Sequence, residues 1–384
     1  MTINFPHTKE GFISHFQEIE PCLMKAAGDV SDISWREING IIDRCDVSSD
    51  DFKLLLDGVC PKDQYVESYL DVGTHRHRLI KPVVYDLLLK GATVIANKIA
   101  NEEKIRQFSN CVASYTGRRT VSSIYATFGT KESFRAHWDT RDVFAVQLIG
   151  KKQWTLFKPT FDSPLHIHQS RDFEATHPCP TEPFLETTLE PGDVLYIPRG
   201  WWHQPKPLGG GTCHLAIGTF PPYAIDYLNW ALNQMSAFPQ TRKSLNGWET
   251  DKKNIEAIGL YIAEFIDNEI NYNRFLEFCA AYVRIDSPIA INIFGNADND
   301  VLPMDSKIRL ASVSQPPYDS EQFFANGIKV SLSEKSRILL SHISNFPGIT
   351  VNQLAANFAD MDCDKLHRLV HELCHQDILE LVTP

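Results

Sequence analysis

The sequence predicts an α+β protein in which short antiparallel strands form a central barrel or sandwich between two helical regions. Three observations carry this. Residues 121–220 break into short β-branched and aromatic runs, SSIYATF, RDVFAVQLIG, KQWTLFKP, DVLYIP and HLAIGTF, punctuated by Gly and Pro, which is the texture of an antiparallel sandwich or barrel. On either side apolar residues fall at three- and four-residue spacing, as in Val84, Leu87, Leu88, Ile95 and Ile99 before it and Ile255, Ile258, Ile262 and Ile266 after it, the periodicity of helix. Finally, 384 residues with 43% hydrophobic and 22% charged side chains can bury ordinary cores, and exclude collagen-like, low-complexity and disordered chains.

In chain order, residues 1–120 read as a mixed lead-in that packs on the barrel, with helices over 12–27 and 83–100 and a few short strands. Residues 121–222 hold the barrel, which Pro221 and Pro222 close. Residues 223–295 return to helical periodicity, from Ile225, Leu228 and Leu232 to Phe275 and Phe278. Such a stretch buries its apolar stripe on the barrel or on a second copy of itself, and a homodimer is expected. Residues 296–384 read as a linker and then three helices and a strand: one helix with Ile338, Leu339 and Ile343, a Pro347–Gly348 turn, a second over 351–358, a third over 363–375, and the strand ILELV. That order is the layout of a winged helix.

The chain has 37 Lys+Arg against 48 Asp+Glu, a net charge of −11, which disfavours general nucleic-acid or anionic-membrane binding and leaves basic proteins and small molecules as easier partners. The same holds for residues 333–384, where four Lys+Arg face seven Asp+Glu, so protein docking or packing is expected of the winged helix. No run of about 18 uncharged apolar residues is present, and Lys9 and Glu10 precede any apolar block, so a soluble cytoplasmic protein is expected. Nine cysteines with no CxxC pair suggest neither a disulfide framework nor a zinc ribbon.

The chemistry is concentrated in two segments. His137-Trp138-Asp139 precedes a buried strand, and in extended backbone residues i and i+2 share a face, about 7 Å apart along the chain. An imidazole and a carboxylate therefore point the same way. Taken alone, an HxD triplet is equally a polar pair on a surface strand. The second segment is more specific: Pro191-Gly192-Asp193 launches the strand VLYI, Pro198 and Gly200 end it, and His203 opens the next. Two histidines and one carboxylate form the facial triad that leaves three positions of a non-haem Fe(II) open for a bidentate 2-oxo acid and O2.

The spacing from Gly192 to His203 resembles the second motif of the cupin superfamily, with Pro207 where many cupins have Asn. HWDTRDVFAVQLIGKKQW resembles H-x-D followed by D/E-V-F-x-x-Q-x-x-G-x-K/R-x-W, and PGDVLYIPRGWWHQ resembles G-D-x-L-Y-x-P-x-G-x-x-H-Q. These are motifs of JmjC-type 2-oxoglutarate-dependent oxygenases of the cupin-like ribosomal oxygenase branch, whose members join a double-stranded β-helix (jelly-roll) barrel to a helical dimerisation segment and a C-terminal winged helix. The resemblance implies that His137, Asp139 and His203 ligate Fe(II), and that Lys152 binds the distal carboxylate of 2-oxoglutarate. It places Tyr125 and Thr127 where relatives have co-substrate hydrogen-bond donors, and Ser123 where they often have Asn. A cation at Lys152 makes sense in a barrel only if an anion meets it, because an unpaired buried charge is costly. The implied reaction consumes O2 and 2-oxoglutarate, releases succinate and CO2, and hydroxylates an unactivated C–H, with an arginine or histidine of a ribosomal protein as the expected target. An N-methyl carbon at the same place would be demethylated instead. Hydroxylation of another peptide or a small molecule, or a cupin-like binding module without catalysis, are the competing readings.

Other polar groups are candidate ligands or substrate contacts. His371-Glu372-Leu373-Cys374-His375 is a literal HExxH, a zinc-protease signature, but it falls in the third helix of the winged-helix block with few residues after it to supply a third ligand. His367, His371 and His375 recur at four-residue spacing and read as a solvated helix face. His166, His168 and His214 read as loop or core residues. Trp201, Trp202, Arg199 and Arg141 flank the motifs and are candidates for the substrate mouth, with core packing the alternative for the tryptophans.

Overall fold

The β-branched and aromatic runs close into two antiparallel sheets in the first of two units, Met1–Phe220 and Pro221–Pro384. The computed structural model describes residues 2–132, 135–285, 287–295, 301–312 and 322–382; Ser133 and Phe134, in the loop before the first expected ligand, lie outside them. Strands β1 (Cys22–Met24), β2 (Phe52–Leu55), β3 (Val66–Asp71), β4 (Thr74–Leu79), β5 (Thr93–Ala96) and β6 (Arg119–Phe128) precede that loop. After it come β7 (Asp142–Ile149), β8 (Lys152–Phe157), β9 (Leu185–Leu189), β10 (Val194–Ile197), β11 (Trp202–Pro207) and β12 (Gly211–Phe220). The larger sheet runs β1-β10-β7-β12-β6-β5-β2 and the smaller β11-β8-β9, with β3 and β4 pairing only with each other.

Alternation along the strands separates two cores. On the outer face of the larger sheet Ile124, Phe144, Val146, Val194, Leu215 and Ile217 pack with Phe12, Ile38, Ile105 and Phe108, which come from helices Lys9–His15, Trp35–Arg44 and Glu103–Thr116. On the inner face Ala145, Leu195 and Ile197 meet Trp154, Leu156 and Leu189 of the smaller sheet. This sandwich of two sheets is the expected jelly roll. β7 is buried from Asp142 to Leu148 because helices cover one face and the smaller sheet the other.

Two helices of the lead-in are shorter than expected. The first spans Lys9–His15; Glu18 takes a left-handed φ of 59°, and after Pro21 the chain is extended as β1. The other spans Lys81–Leu89 and stops at Gly91, whose φ is +94°. The apolar residues beyond it, including Ile95, belong to β5, where β-branched side chains pack well in a pleated sheet.

The second unit starts with helices Ala224–Gln234, Trp248–Ile266 and Glu269–Ala281. Although Trp248–Ile266 carries a regular apolar stripe, none of its 19 residues is buried, and Leu260 is 75% exposed. In the C-terminal block β13 (Lys307–Leu310), β14 (Gln322–Ala325), β15 (Ile328–Ser331), β16 (Ile349–Thr350) and β17 (Leu379–Val382) accompany helices Glu334–Asn345, Val351–Asn357 and Cys363–His375. Strand order β16-β13-β17 with a β14–β15 hairpin around a core of Leu310, Leu339, Ile343, Leu354, Val370 and Leu379 is a winged helix. The helices begin on side-chain caps, Ser333 accepting from Ser336 N, Thr350 from Gln353 N and Asp362 from Lys365 N, which satisfies donors a helix start leaves open. Among the described residues no helix is long and apolar enough to cross a membrane.

Candidate metal centre

His137 and Asp139 do not lie within a regular strand. β7 starts only at Asp142, and residues 137–139 form an extended connection into it, held by one bridge to β11. His137 N donates to His203 O at 3.1 Å, His203 N to His137 O at 2.8 Å, and Gly200 N to Asp139 O at 2.9 Å. The two motifs are thus joined through their backbones at the ligands themselves. Alternation still operates in the extended segment: Trp138, between the two ligands, packs in a separate cluster with Phe157 and Trp202.

One ligand atom from each of His137, Asp139 and His203 lies within 4.8 Å of the others, the one such group of three among the described residues. His203 Nε2 is 3.9 Å from Asp139 Oδ2. His137 Nδ1 is 2.9 Å from the Arg135 carbonyl and His203 Nδ1 3.1 Å from the Trp201 carbonyl. A carbonyl can only accept, so each Nδ1 carries a proton and Nε2 is the nitrogen left to coordinate. Burial, then His137, push His203 down to about 4, so it is neutral at pH 7. Burial raises Asp139, but Arg141, His203 and His137 outweigh it and hold the carboxyl below its ordinary value. The two imidazoles, each with Nε2 turned to the site, and an ionised carboxylate form the donor set of a facial-triad metal. The residues present fit Fe(II).

The remaining expected site residues face the same interior. Lys152, first residue of β8, is 4% exposed; its Nζ donates to His214 Nδ1 at 3.0 Å, and it makes no ion pair among the described residues. Burial lowers its pKa to about 8. A cation so placed fits an anionic ligand. Tyr125 and Thr127 alternate with Ile124 and Ala126, which face the helices, so both line the inner face. Burial, with Asp139, pushes Tyr125 up to about 12, and Thr127 Oγ1 donates to the Ala92 carbonyl at 3.5 Å. Ser123, also buried, has the same inward register.

Several groups differ from the sequence reading. Trp201 and Trp202 follow the core-packing alternative of the two readings. Arg199 pairs with Glu18 at 3.3 Å and its backbone N–H donates to Asp142 at 2.9 Å. Arg141 is the one of the four beside the ligands, 3.9 Å from Asp139. Asp142 was not singled out in the sequence: buried, it also accepts from Arg118 and Tyr196 at 2.8 and 2.9 Å, which ties the start of β7 to the end of β10. His371 and His375 pack around Phe294 at ring distances of 5.3 and 5.9 Å, and His367 Nε2 lies 2.6 Å from the Leu302 carbonyl. The HExxH residues therefore form a packing face, not a metal cluster.

A JmjC domain matches residues 94–227 and a ROXA-like winged helix residues 286–380. The chain is 34% identical over 116 residues to ribosomal oxygenase 1 of Bos taurus, covering 30% of this chain and 17% of that protein. It is 37% identical over 100 residues to the bifunctional lysine-specific demethylase and histidyl-hydroxylase NO66 of Dictyostelium discoideum, covering 26% of this chain and 19% of that one. Each match thus spans less than a fifth of the relative's length. The structure of YcfD, a ribosomal oxygenase from Escherichia coli, aligns over 100% of both chains with a TM-score of 0.61 at 15% identity. Its complex with cobalt and 2-oxoglutarate aligns over 100% of this chain and 99% of that one, with a TM-score of 0.57 at 13% identity. At such identity the likeness to YcfD is one of fold. By these matches, and in keeping with its own two-sheet barrel and C-terminal block, the chain carries a JmjC domain over residues 94–227 and a ROXA-like winged helix over residues 286–380.

Proposed function

We propose that the protein is an Fe(II)- and 2-oxoglutarate-dependent oxygenase that hydroxylates a protein side chain, an arginine or histidine of a ribosomal protein, in the cytoplasm. The observation that carries this is the convergence of His137, Asp139 and His203 in a barrel whose one buried lysine, Lys152, has no carboxylate partner among the described residues. The names ribosomal oxygenase and histidyl-hydroxylase on the relatives support the substrate class, as does a net charge of −11 facing a basic target.

His137, Asp139 and His203 would hold Fe(II), and the bound metal with O2 would supply the oxidation of 2-oxoglutarate to succinate and CO2 coupled to conversion of a substrate C–H to C–OH. The chain's own residues bind and orient. Asp139 stays ionised and His203 neutral across neutral pH, so neither needs to lose a proton to ligate. Lys152 meets the distal carboxylate, with Tyr125 and Thr127 on the same wall, and Trp154, Leu156 and Leu195 keep the interior dry, where each charge-assisted contact is stronger. Residues 223–295 act as the dimerisation segment. The exposed apolar side chains of Trp248–Ile266 support it, since a stripe of that kind is covered in a stable assembly.

Release of labelled CO2 from 2-oxoglutarate tests the activity, with Fe(II) and ascorbate, with and without a cytoplasmic basic-protein fraction. Turnover that the fraction stimulates and Asp139→Ala abolishes is expected. A metal-loaded protein that never releases CO2 would refute the oxygenase.

A further inference from the structure

His214 is 5% exposed and no role in the triad or the co-substrate set falls to it. β12 turns it inward, because its neighbours Cys213 and Leu215 belong to the helix-facing core. Its ring stacks on Tyr125 with centroids 5.0 Å apart and planes 8° from parallel. Trp154 stands edge-on to it at 5.3 Å, and the same indole lies 6.1 Å from His203. The imidazole is therefore one indole away from a metal ligand.

The contact with Lys152 fixes its tautomer. An ammonium can only donate, so Nδ1 accepts, and the single proton of a neutral ring sits on Nε2. The ring is neutral because burial, then Lys152 and His203, hold it well below the ordinary histidine range. Among the described residues Nε2 has no protein acceptor, the only hydrogen bond of the ring being the one from Lys152 to Nδ1, so its proton is available to a ligand in the barrel. A carboxylate has sites for several donors, and the anion that Lys152 requires would lie against this ring.

We propose that His214 is a second donor to the distal carboxylate of the 2-oxo acid, its Nε2–H acting beside the Lys152 ammonium, so that β12 of the larger sheet and β8 of the smaller grip one anion. This rests on the co-substrate reading above. His214 selects for a diacid over a 2-oxo acid with an apolar end, and holds the lysine in place through Nδ1.

The test uses the full chain loaded with Co(II), whose visible absorption reports chelation, titrated under nitrogen with 2-oxoglutarate and with 2-oxopentanoate. The second acid has the same carbon chain and chelating end but lacks the distal carboxylate. His214→Phe keeps a ring against Tyr125 and removes both nitrogens, while His214→Gln keeps an amide N–H near the position of Nε2. For His214→Phe, 2-oxoglutarate is expected to bind about 10- to 100-fold more weakly, the effect of losing a hydrogen bond to a charged group, and 2-oxopentanoate to change less than about threefold. His214→Gln is expected to recover part of the loss. Equal weakening of both acids would make His214 a structural prop, and unchanged binding of both would leave it no role; either overturns the proposal. Wild-type protein that takes up Co(II) but does not respond to 2-oxoglutarate would overturn the co-substrate reading and this inference with it.

Discussion

Replacing Lys152 with Met separates a residue kept for a ligand from one kept for the fold. Burial lowers the lysine pKa from 10.5 to about 8, and each unit corresponds to about 1.4 kcal/mol, so the charged lysine costs the ligand-free protein about 3 kcal/mol at pH 7. Met removes that cost but leaves His214 Nδ1 without its donor, which returns about 1–3 kcal/mol. The variant should therefore be as stable as wild type at pH 7 or up to about 2 kcal/mol more stable, a rise of about 0–8 °C in Tm for a unit of this size. The difference must also titrate. Between pH 8 and 10.5 the unfolded lysine holds its proton and the folded one has lost it, so wild type gains on the variant by about 2 kcal/mol from pH 7 to 9.5. Other groups titrate in both proteins and cancel. Calorimetry at the two pH values reads this, and titration of the Co(II)-loaded proteins should show 2-oxoglutarate binding weakened about 100- to 1000-fold, as when a buried pair loses one partner. A variant clearly destabilised at pH 7, by an amount that does not change at pH 9.5, would refute the reasoning, as would one that still binds 2-oxoglutarate normally.

Three further outcomes are expected. Asp139→Ala should weaken Co(II) binding by more than about 100-fold, read by equilibrium dialysis, because a facial site of two imidazoles and one carboxylate loses its only anion. Asp142→Asn should cost about 1–3 kcal/mol in urea unfolding, because Arg118 keeps only Glu18 as a carboxylate partner and the Tyr196 and Arg199 contacts lose their charged acceptor; an effect below about 0.5 kcal/mol would mean that Asp142 anchors nothing. Leu232→Glu with Leu260→Glu, both exposed, should halve the mass measured by light scattering while leaving 2-oxoglutarate binding unchanged, whereas an unaltered mass would discard the helical face as the dimer contact.

The candidate metal triad is legible in the sequence because its spacing is local. HxD shares a face in any extended backbone, and the glycines and proline between Gly192 and His203 serve turns that few other residues allow: Gly192 and Gly200 both have positive φ, 92° and 82°. The winged helix was legible for the same reason, its helices beginning on capping side chains that can be read in order. What could not be read depends on register between distant strands. His214 is one of 14 histidines, and only the pairing of β12 with β6 sets it opposite Tyr125. Asp142 looks like any acid at a strand start until Arg118, Tyr196 and Arg199 converge on it. The lead-in helices were overextended because apolar periodicity continues through Gly91 into β5, and a short β-branched run is ambiguous until a sheet claims it.

Asp142 also bears on how the site comes into being. Its carboxylate collects a side chain from Arg118 before β6, a phenol from Tyr196 on β10 and the backbone of Arg199 on the approach to His203, contacts that join positions up to 57 residues away. The spacing between the two halves of the candidate triad therefore depends on the docking of those distant segments. Taken alone, the segment before β7 carries no more than a histidine and a carboxylate, and the third member of the candidate triad comes with β11. For anyone grafting the centre onto another scaffold, the portable unit is not the ligand loops but the whole belt of strands that this one buried acid buckles together.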